Sequence, residues 1–351
     1  MNGADRDRTG CEFWLHGFPV PRRAVGRAVQ AEAWGFDGLF LADSEQLVGD
    51  PYVELALAAR ETRRLRLGPA VTNPVTRHPA VTAAAVATLQ IESGGRAAVV
   101  LGRGDSAVRQ VGLLPATTAE LEQGLVSLQA LLRGEAVPVA GGGTARMAWI
   151  DAFHPGEVPV SVAATGPATI ALAARRCGRV DLTVGADPQR VSWAVAHARD
   201  AVRGTGARPS LGAFVNVAVH PDAAVARHLV RGSAAIFVHV VAEGPMDVVP
   251  EDDRPVVAGV RAAYDEAAHG LTTAGHATSL PDAFLDRFAV AGTPEHCVAR
   301  LQELINLGLD RIVVVPGSRD ADPDLLAMSD ELFATEVLPR LRTGAPASGT
   351  P

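Results

Sequence analysis

The chain has 351 residues, 48% of them apolar, with 32 arginines and no lysine against 39 acidic residues, for a formal charge of −7. That apolar fraction belongs to a folded chain and excludes a disordered one, and a net negative charge without a basic run excludes a polyanion binder, so no nucleic-acid partner is expected. The missing lysine excludes a Schiff base, a lysine general base and a P-loop.

The first ten residues, MNGADRDRTG, carry charge where a signal peptide has an apolar core. No stretch approaches the ~20 uninterrupted apolar residues that span a bilayer. A cytoplasmic protein with no membrane partner is expected. Cys11, Cys177 and Cys297 are isolated, odd in number and without C-x-x-C spacing, so neither a disulfide framework nor a metal site is expected.

From end to end, short β-branched runs alternate with helix-period runs. A strand over 12–16 leads to a helix over 22–34, stopped by Gly35. A strand over 38–42 leads to a helix over 51–63, opened by Asp50-Pro51. Strands over 65–71 and 97–101 lead to helices over 79–92 and 118–133. The Gly/Pro-rich segment 134–151 predicts a flexible hairpin or loop. Strands over 160–164 and 182–184 lead to helices over 167–177 and 188–201, the second opened by Asp187-Pro188. A strand over 211–219 and a helix over 223–231 precede a long interruption. A helix over 294–307, a strand over 311–315 and a helix over 322–341 complete the series.

Eight strands, each followed by a helix, predict an α/β fold, a (β/α)8 TIM barrel with insertion loops. An open doubly wound sheet would show G-x-G-x-x-G after its first strand, where this chain has Gly17-Phe18-Pro19. The expected organisation is a disordered tail over 1–10, a single barrel domain over 11–342 with an insertion at about 232–293, and a disordered tail over 343–351. The insertion reads as a lid or binding loop.

Loops at the C-terminal ends of barrel strands are neighbours, which gathers His16, Asp43, Ser44, Thr72, Asn73, Gly102 to Asp105, Thr165 and Gly166. Asp43 ends the apolar run GLFLAD, where a carboxylate either positions a ligand or caps the next segment. The turn Ala163-Ala164-Thr165-Gly166-Pro167 enters a helix with proline at its first position, so its backbone N–H groups either hold an anion or simply start the helix. His78 reads as a solvated loop residue. No H-E-x-x-H or G-x-S-x-G pattern is present.

The run LGPAVTNPVTRHPAVTAAAVATLQIESGGRAAVVLGRGDSAV over 67–108 resembles the third and fourth strand region of the bacterial-luciferase-like superfamily. Within it, the run is most similar to coenzyme F420-dependent methylenetetrahydromethanopterin reductases. The shared features are V-T-N-P at Val71 to Pro74, T-R-x-P-A at Thr76 to Ala80, S-G-G-R-A at Ser93 to Ala97 and the turn at Gly104-Asp105. The likeness extends to 35–44, to 158–178 and to GTPEHCVARLQELINLGLDRIVV near the C-terminus, and leaves 232–293 unmatched.

The resemblance implies a barrel carrying a two-electron deazaflavin coenzyme, F420, at its C-terminal mouth. It implies a non-proline cis peptide at Ala70-Val71 behind the ring, with Thr72 and Asn73 lining the cleft. The coenzyme phosphate maps to Ala163, Ala164, Thr165 and Gly166. Asp43, with Ser44 beside it, maps to the hydroxylated edge of the ring, and Asp105 maps near the reacting face, where it stabilises an iminium or delivers a proton. Related enzymes that oxidise alcohols or sugar phosphates carry a histidine after that first aspartate, and this chain has Ser44. Reduction of C=N or C=C is therefore favoured, unless His16 serves as base from the first strand.

The function expected is F420H2-dependent hydride transfer to an electrophilic carbon, in a C=N or activated C=C bond of a pterin or specialised metabolite. An FMNH2-dependent monooxygenase is the alternative within the same superfamily. A non-catalytic flavin-binding barrel or partner subunit is the alternative outside catalysis. A small-molecule substrate and a homodimer formed through barrel helices are the partners the resemblance implies.

Overall fold

The computed structural model describes residues 10–139 and 141–343. The expected tails, 1–10 and 343–351, fall almost wholly outside the described residues. Contacts divide the chain into two compact units, one over 16–163 and one made of 10–15 with the chain from Ala164 onward.

Strand β1 (Glu12–Gly17) ends in the first unit with His16 and Gly17. There follow α1 (Ala24–Ala33), β2 (Gly38–Leu41), α2 (Pro51–Glu61), β3 (Arg66–Pro69), α3 (Pro79–Glu92), β4 (Val99–Leu101), α4 (Ser106–Gln110) and α5 (Thr118–Leu132). A two-stranded hairpin, β5 (Val137–Pro138) with β6 (Thr144–Ala145), stands where sequence predicts one, and β7 (Val160–Ala164) closes the unit.

The pairings of the long strands are parallel. Gly38 of β2 faces Arg66 of β3, and Val99 of β4 faces Val160 of β7. Bridges from Leu67 to Ala97 and from Thr72 to Leu101 join the third and fourth strands. Every residue of β2 and β4 is buried and apolar or glycine, as parallel strands covered on both faces require. Gly68 is glycine for a steric reason, because a Cβ there would collide with the carbonyl oxygen of Ala98. The helices start where their caps dictate. Asp50 accepts the N–H groups of Tyr52 and Val53, and Thr117 forms a capping box with Glu120.

The second unit holds residues 12–15 of β1, then α6 (Pro167–Arg176), β8 (Arg179–Leu182), α7 (Pro188–Asp200), β9 (Ser210–Val219), α8 (Ala223–Ala242), α9 (Arg254–Ala263), α10 (Gly275–Thr278), α11 (Asp282–Phe288), β10 (Val290–Gly292), α12 (Pro294–Asn306), β11 (Arg311–Val315), α13 (Pro323–Leu332) and α14 (Leu338–Thr343). The ten-residue β9 is its spine. Parallel to it lie β8 from Arg179, β11 from Arg311 and, further along, β10 from Val290 opposite Val217, while β1 pairs the far side of β11. Four strands in each unit correspond to the eight expected ones, the sixth with shifted bounds, and the chain is an α/β protein of the (β/α)8 class.

Three differences from the sequence expectations concern this unit. The sixth strand is Arg179–Leu182, three residues earlier than the expected 182–184, because Asp181 inside it is fully buried rather than solvated. Its carboxylate accepts from Nε and Nη2 of the equally buried Arg311, at 3.0 and 2.7 Å. Helix α8 does not stop at 231 but runs twenty residues to Ala242, and residues 290–292 are a strand. The segment 232–293 is therefore no loop. Val241, Val257, Val260, Phe284, Leu285 and Phe288 form a core of their own there. By length and composition α8 would cross a membrane, yet over half of its most apolar window is buried, and it packs on α9, α10 and α11 as a core helix.

Among the described residues no disulfide joins the three cysteines, and Cys297 of α12 is fully buried against the carbonyls of Ala218 and Gly292.

Candidate functional site

In the first unit the strand ends converge on one buried carboxylate. Asp43 follows β2 and is 2% exposed, and neither of its oxygens has a hydrogen-bond partner among the described residues. Burial pushes its carboxyl up to about 6, against the pull of the Thr72 hydroxyl and the Arg77 guanidinium; the charges of Glu45 and Asp50 add to the rise. Ser44, the next residue, opens a turn in which its carbonyl accepts from Leu47 and Val48.

Three residues that sequence reasoning passed over surround Asp43. Arg77 donates to Asp50 at 2.9 Å, lies 4.3 Å above the Tyr52 ring and places its Nε 3.9 Å from Asp43 Oδ2. That last distance is an ion pair without a hydrogen bond. Tyr52, at the start of α2, donates its hydroxyl to Thr72 Oγ1 at 3.2 Å, and burial pushes its own pKa upward. The only hint of this grouping in the sequence is a set of polar residues in two loops, around Asp50-Pro51-Tyr52 and Thr76-Arg77-His78.

The Ala70-Val71 peptide is cis, at the place the resemblance implies. Ala70 N–H bonds Leu41, Thr72 N–H bonds Val100, and the Thr72 carbonyl accepts from Gly102, so this segment is held on both flanks. Gly102 leaves room for Val71, whose side chain occupies the place a Cβ would take. His16 donates from Nε2 to the Ala70 carbonyl at 3.0 Å, since a carbonyl can only accept. Burial pushes its pKa down to about 4, with the Ala70 contact opposing. Two of the expected site side chains are engaged by the backbone. His16 is a neutral imidazole tied to the backbone and a weak base. The Asn73 amide is committed to a turn, its Oδ1 accepting from Val75 and Thr76, so Asn73 offers the cleft backbone shape and no free side chain.

Asp105 is the residue before α4, where it makes no capping bond and instead pairs with Arg109 at 3.1 Å. His78 is exposed in the loop before α3, as expected, and it also caps that helix, its Nδ1 accepting the Ala80 N–H.

Ala163 and Ala164 end β7, and Gly166 is the N-cap of α6 with no side-chain cap. With Pro167 next, the first-turn N–H groups keep their capacity for an anion. In the second unit Thr165 Oγ1 lies 2.6 Å from Thr183 Oγ1, which holds its side chain at this helix start.

The family model described as luciferase-like monooxygenase matches residues 2–311. A 5,10-methylenetetrahydromethanopterin reductase of Methanolobus tindarius is 31% identical over 297 residues, 81% of this chain and 86% of the relative. An F420-dependent glucose-6-phosphate dehydrogenase of Microbacterium testaceum is 26% identical over 346 residues, 92% of this chain and 94% of the relative. Among solved structures, the coenzyme F420-dependent tetrahydromethanopterin reductase from Methanopyrus kandleri superposes with a TM-score of 0.75 at 22% identity, covering 95% of this chain and 99% of the other. That likeness carries the fold.

Proposed function

The chain belongs to the luciferase-like monooxygenase family, and from that premise we propose that it is a coenzyme F420-dependent oxidoreductase that reduces a C=N or activated C=C bond of a small molecule, a pterin or a specialised metabolite. The observation that carries the reading is Asp43. A buried carboxylate whose oxygens make no close hydrogen bond, with only the Thr72 hydroxyl and the Arg77 guanidinium beside it, calls for a further donor, and a hydroxylated ring edge supplies one. The corresponding edge of FMN carries methyl groups and would leave the carboxylate unsatisfied.

When bound, the deazaflavin supplies hydride chemistry. The protein's part is position and charge. Asp43 would accept from the coenzyme hydroxyl, the Ala70 to Thr72 segment would back the ring, and the N-terminus of α6 with Ala163, Ala164, Thr165 and Gly166 would hold a phosphate. Asp105, paired with Arg109, would set a negative field where positive charge develops in an iminium. Ser44 and the backbone-bound His16 provide no imidazole base for alcohol oxidation, which favours the reductive direction.

We also infer a homodimer and a cytoplasmic location. Val53 and Leu57 of α2 and Val81 of α3 are 59%, 50% and 51% exposed on helices that pack together, an apolar face suited to a second copy. Three cysteines without a disulfide suit a reducing compartment.

Fluorescence titration of the purified protein with F420 and, in parallel, with FMN tests the coenzyme. Micromolar or tighter F420 binding with weak FMN binding is expected; the reverse preference moves the reading to an oxygenase, and binding without turnover to a non-catalytic barrel. Asp105→Ala is expected to lower turnover with imine or enone acceptors by roughly 10²-fold while F420 affinity is kept. An unchanged rate removes Asp105 from the mechanism.

A further inference from the structure

The group around Asp43 contains an unmade bond. Arg77 Nε is a buried donor without a hydrogen-bond acceptor, and Asp43 Oδ2 is a buried acceptor without a donor, 3.9 Å away. Such pairs normally close, because the low-dielectric interior rewards contact and penalises each group left alone. The guanidinium is engaged elsewhere, since Asp50 takes its Nη2 at 2.9 Å and the Tyr52 ring lies against its face. Asp50 is fixed in turn, because its other oxygen caps α2 through the N–H groups of Tyr52 and Val53. A small cavity of about 10 Å³, bordered by Asn73, Pro74, Arg77, Thr82, Gly124 and Leu128, adjoins Arg77.

We propose that Arg77 is a positioning residue that sets the charge of Asp43, with Asp50 as the competitor that keeps its guanidinium one step short of the carboxylate. The proposal deepens the coenzyme reading and rests on it for its purpose. A fully closed pair would fill the oxygens that a ligand hydroxyl needs, whereas no arginine at all would leave a buried acid that holds its proton at neutral pH and loses its strength as an acceptor. An arginine shared between two carboxylates keeps Asp43 both ionisable and open. The charged and titratable groups acting on Asp43 are Arg77 from the loop before α3, Asp50 and Tyr52 from the start of α2, and Glu45 from its own loop; the Thr72 hydroxyl is the polar neighbour from beyond β3.

The geometry predicts opposite effects for two substitutions. Arg77→Gln removes the attraction and raises the pH at which Asp43 titrates. Asp50→Asn keeps the cap acceptor, removes a repelling charge and frees Arg77 to close on Asp43, so the midpoint falls. Arg77→Lys, charged but unable to span both carboxylates, lies between Arg77→Gln and the parent protein. The readout is the ¹³Cγ shift of Asp43 in coenzyme-free, ¹³C-aspartate-labelled protein across pH, with Asp43→Asn for assignment. A rise of about one unit or more for Arg77→Gln, a tenfold change in proton affinity, and a fall for Asp50→Asn are expected. Midpoints that coincide with the parent, or that move in one direction in both variants, overturn the proposal. F420 titrations run alongside separate the two ideas: opposed midpoints with no F420 binding retain the role of Arg77 and defeat the coenzyme reading. If Arg77→Gln fails to fold, Asp50→Asn alone decides by the sign of its shift.

Discussion

Asp43 shows how one residue trades stability for chemistry. Its carboxyl titrates near 6 in the fold against 3.8 for an unhindered aspartate, so between those values the folded chain binds a proton that the unfolded chain does not. Stability therefore rises as pH falls from above 6 to below 4, and at about pH 8 the charged group costs the fold ~3 kcal/mol. Asp43→Asn is expected to raise unfolding stability by ~1–3 kcal/mol at pH 8 and by nothing at pH 4, while lowering turnover at least tenfold. Urea unfolding at the two pH values checks it, and an equal effect at both would reject the titration of Asp43 as the cause. The position of Asp43 was legible because it ends an apolar strand, and the turn at Thr72 and Asn73 because of its motif. Arg77, Tyr52 and Asp50 were not legible as a group. They lie 25 or more positions apart at the extremes, and no periodicity links a stacking ring to the cation above it. The commitment of Asn73 and His16 to the backbone was hidden for the same reason, since a side-chain bond to a carbonyl or N–H leaves no pattern in the chain.

At the scale of elements, the buried Asp181 and Arg311 tie β8 to β11 through β9, where a side chain at Gly212 would strike both. Both charges are out of water, so removing one deprives the other of its buried hydrogen-bonded partner. Asp181→Ala is expected to cost ~3–5 kcal/mol, and Asp181→Leu combined with Arg311→Met to recover most of that loss. Thermal unfolding of the single and double variants measures it, and a double variant no better than the single would show that geometry, not charge, is what the pair supplies. This pair also explains why the sixth strand was misplaced. A charged residue in the middle of a short run signals solvent, and only the partner 130 residues away makes Asp181 an interior residue. The strand over 38–41, which has no such pair, was legible from its apolar run, the one over 311–315 from the β-branched run that follows Arg311, and helices from proline and cap residues at their starts. Helix α8 was cut short in the reading because Arg227, His228 and Arg231 interrupt its apolar pattern. Those charges lie near its start, and Arg227 and Arg231 pair with Asp282 and Asp286 of α11.

For the molecule as a whole, the exposed Val53, Leu57 and Val81 make association a matter of one helix face. Val53→Arg together with Leu57→Arg is expected to convert a dimer to monomers in sedimentation at micromolar concentration, with F420 affinity within about threefold. A parent protein that sediments as a monomer removes the proposal outright. The buried thiol of Cys297 bears on a different property of the whole chain. Burial pushes its pKa up to about 12, so in the closed fold it is almost entirely thiol and beyond the reach of reagents. An aromatic disulfide reagent can modify it only when α12 lifts from β9 and β10. Its labelling rate is then a clock on that opening, and the way the clock slows when coenzyme or substrate is added would report how strongly each ligand resists the breathing of the second unit.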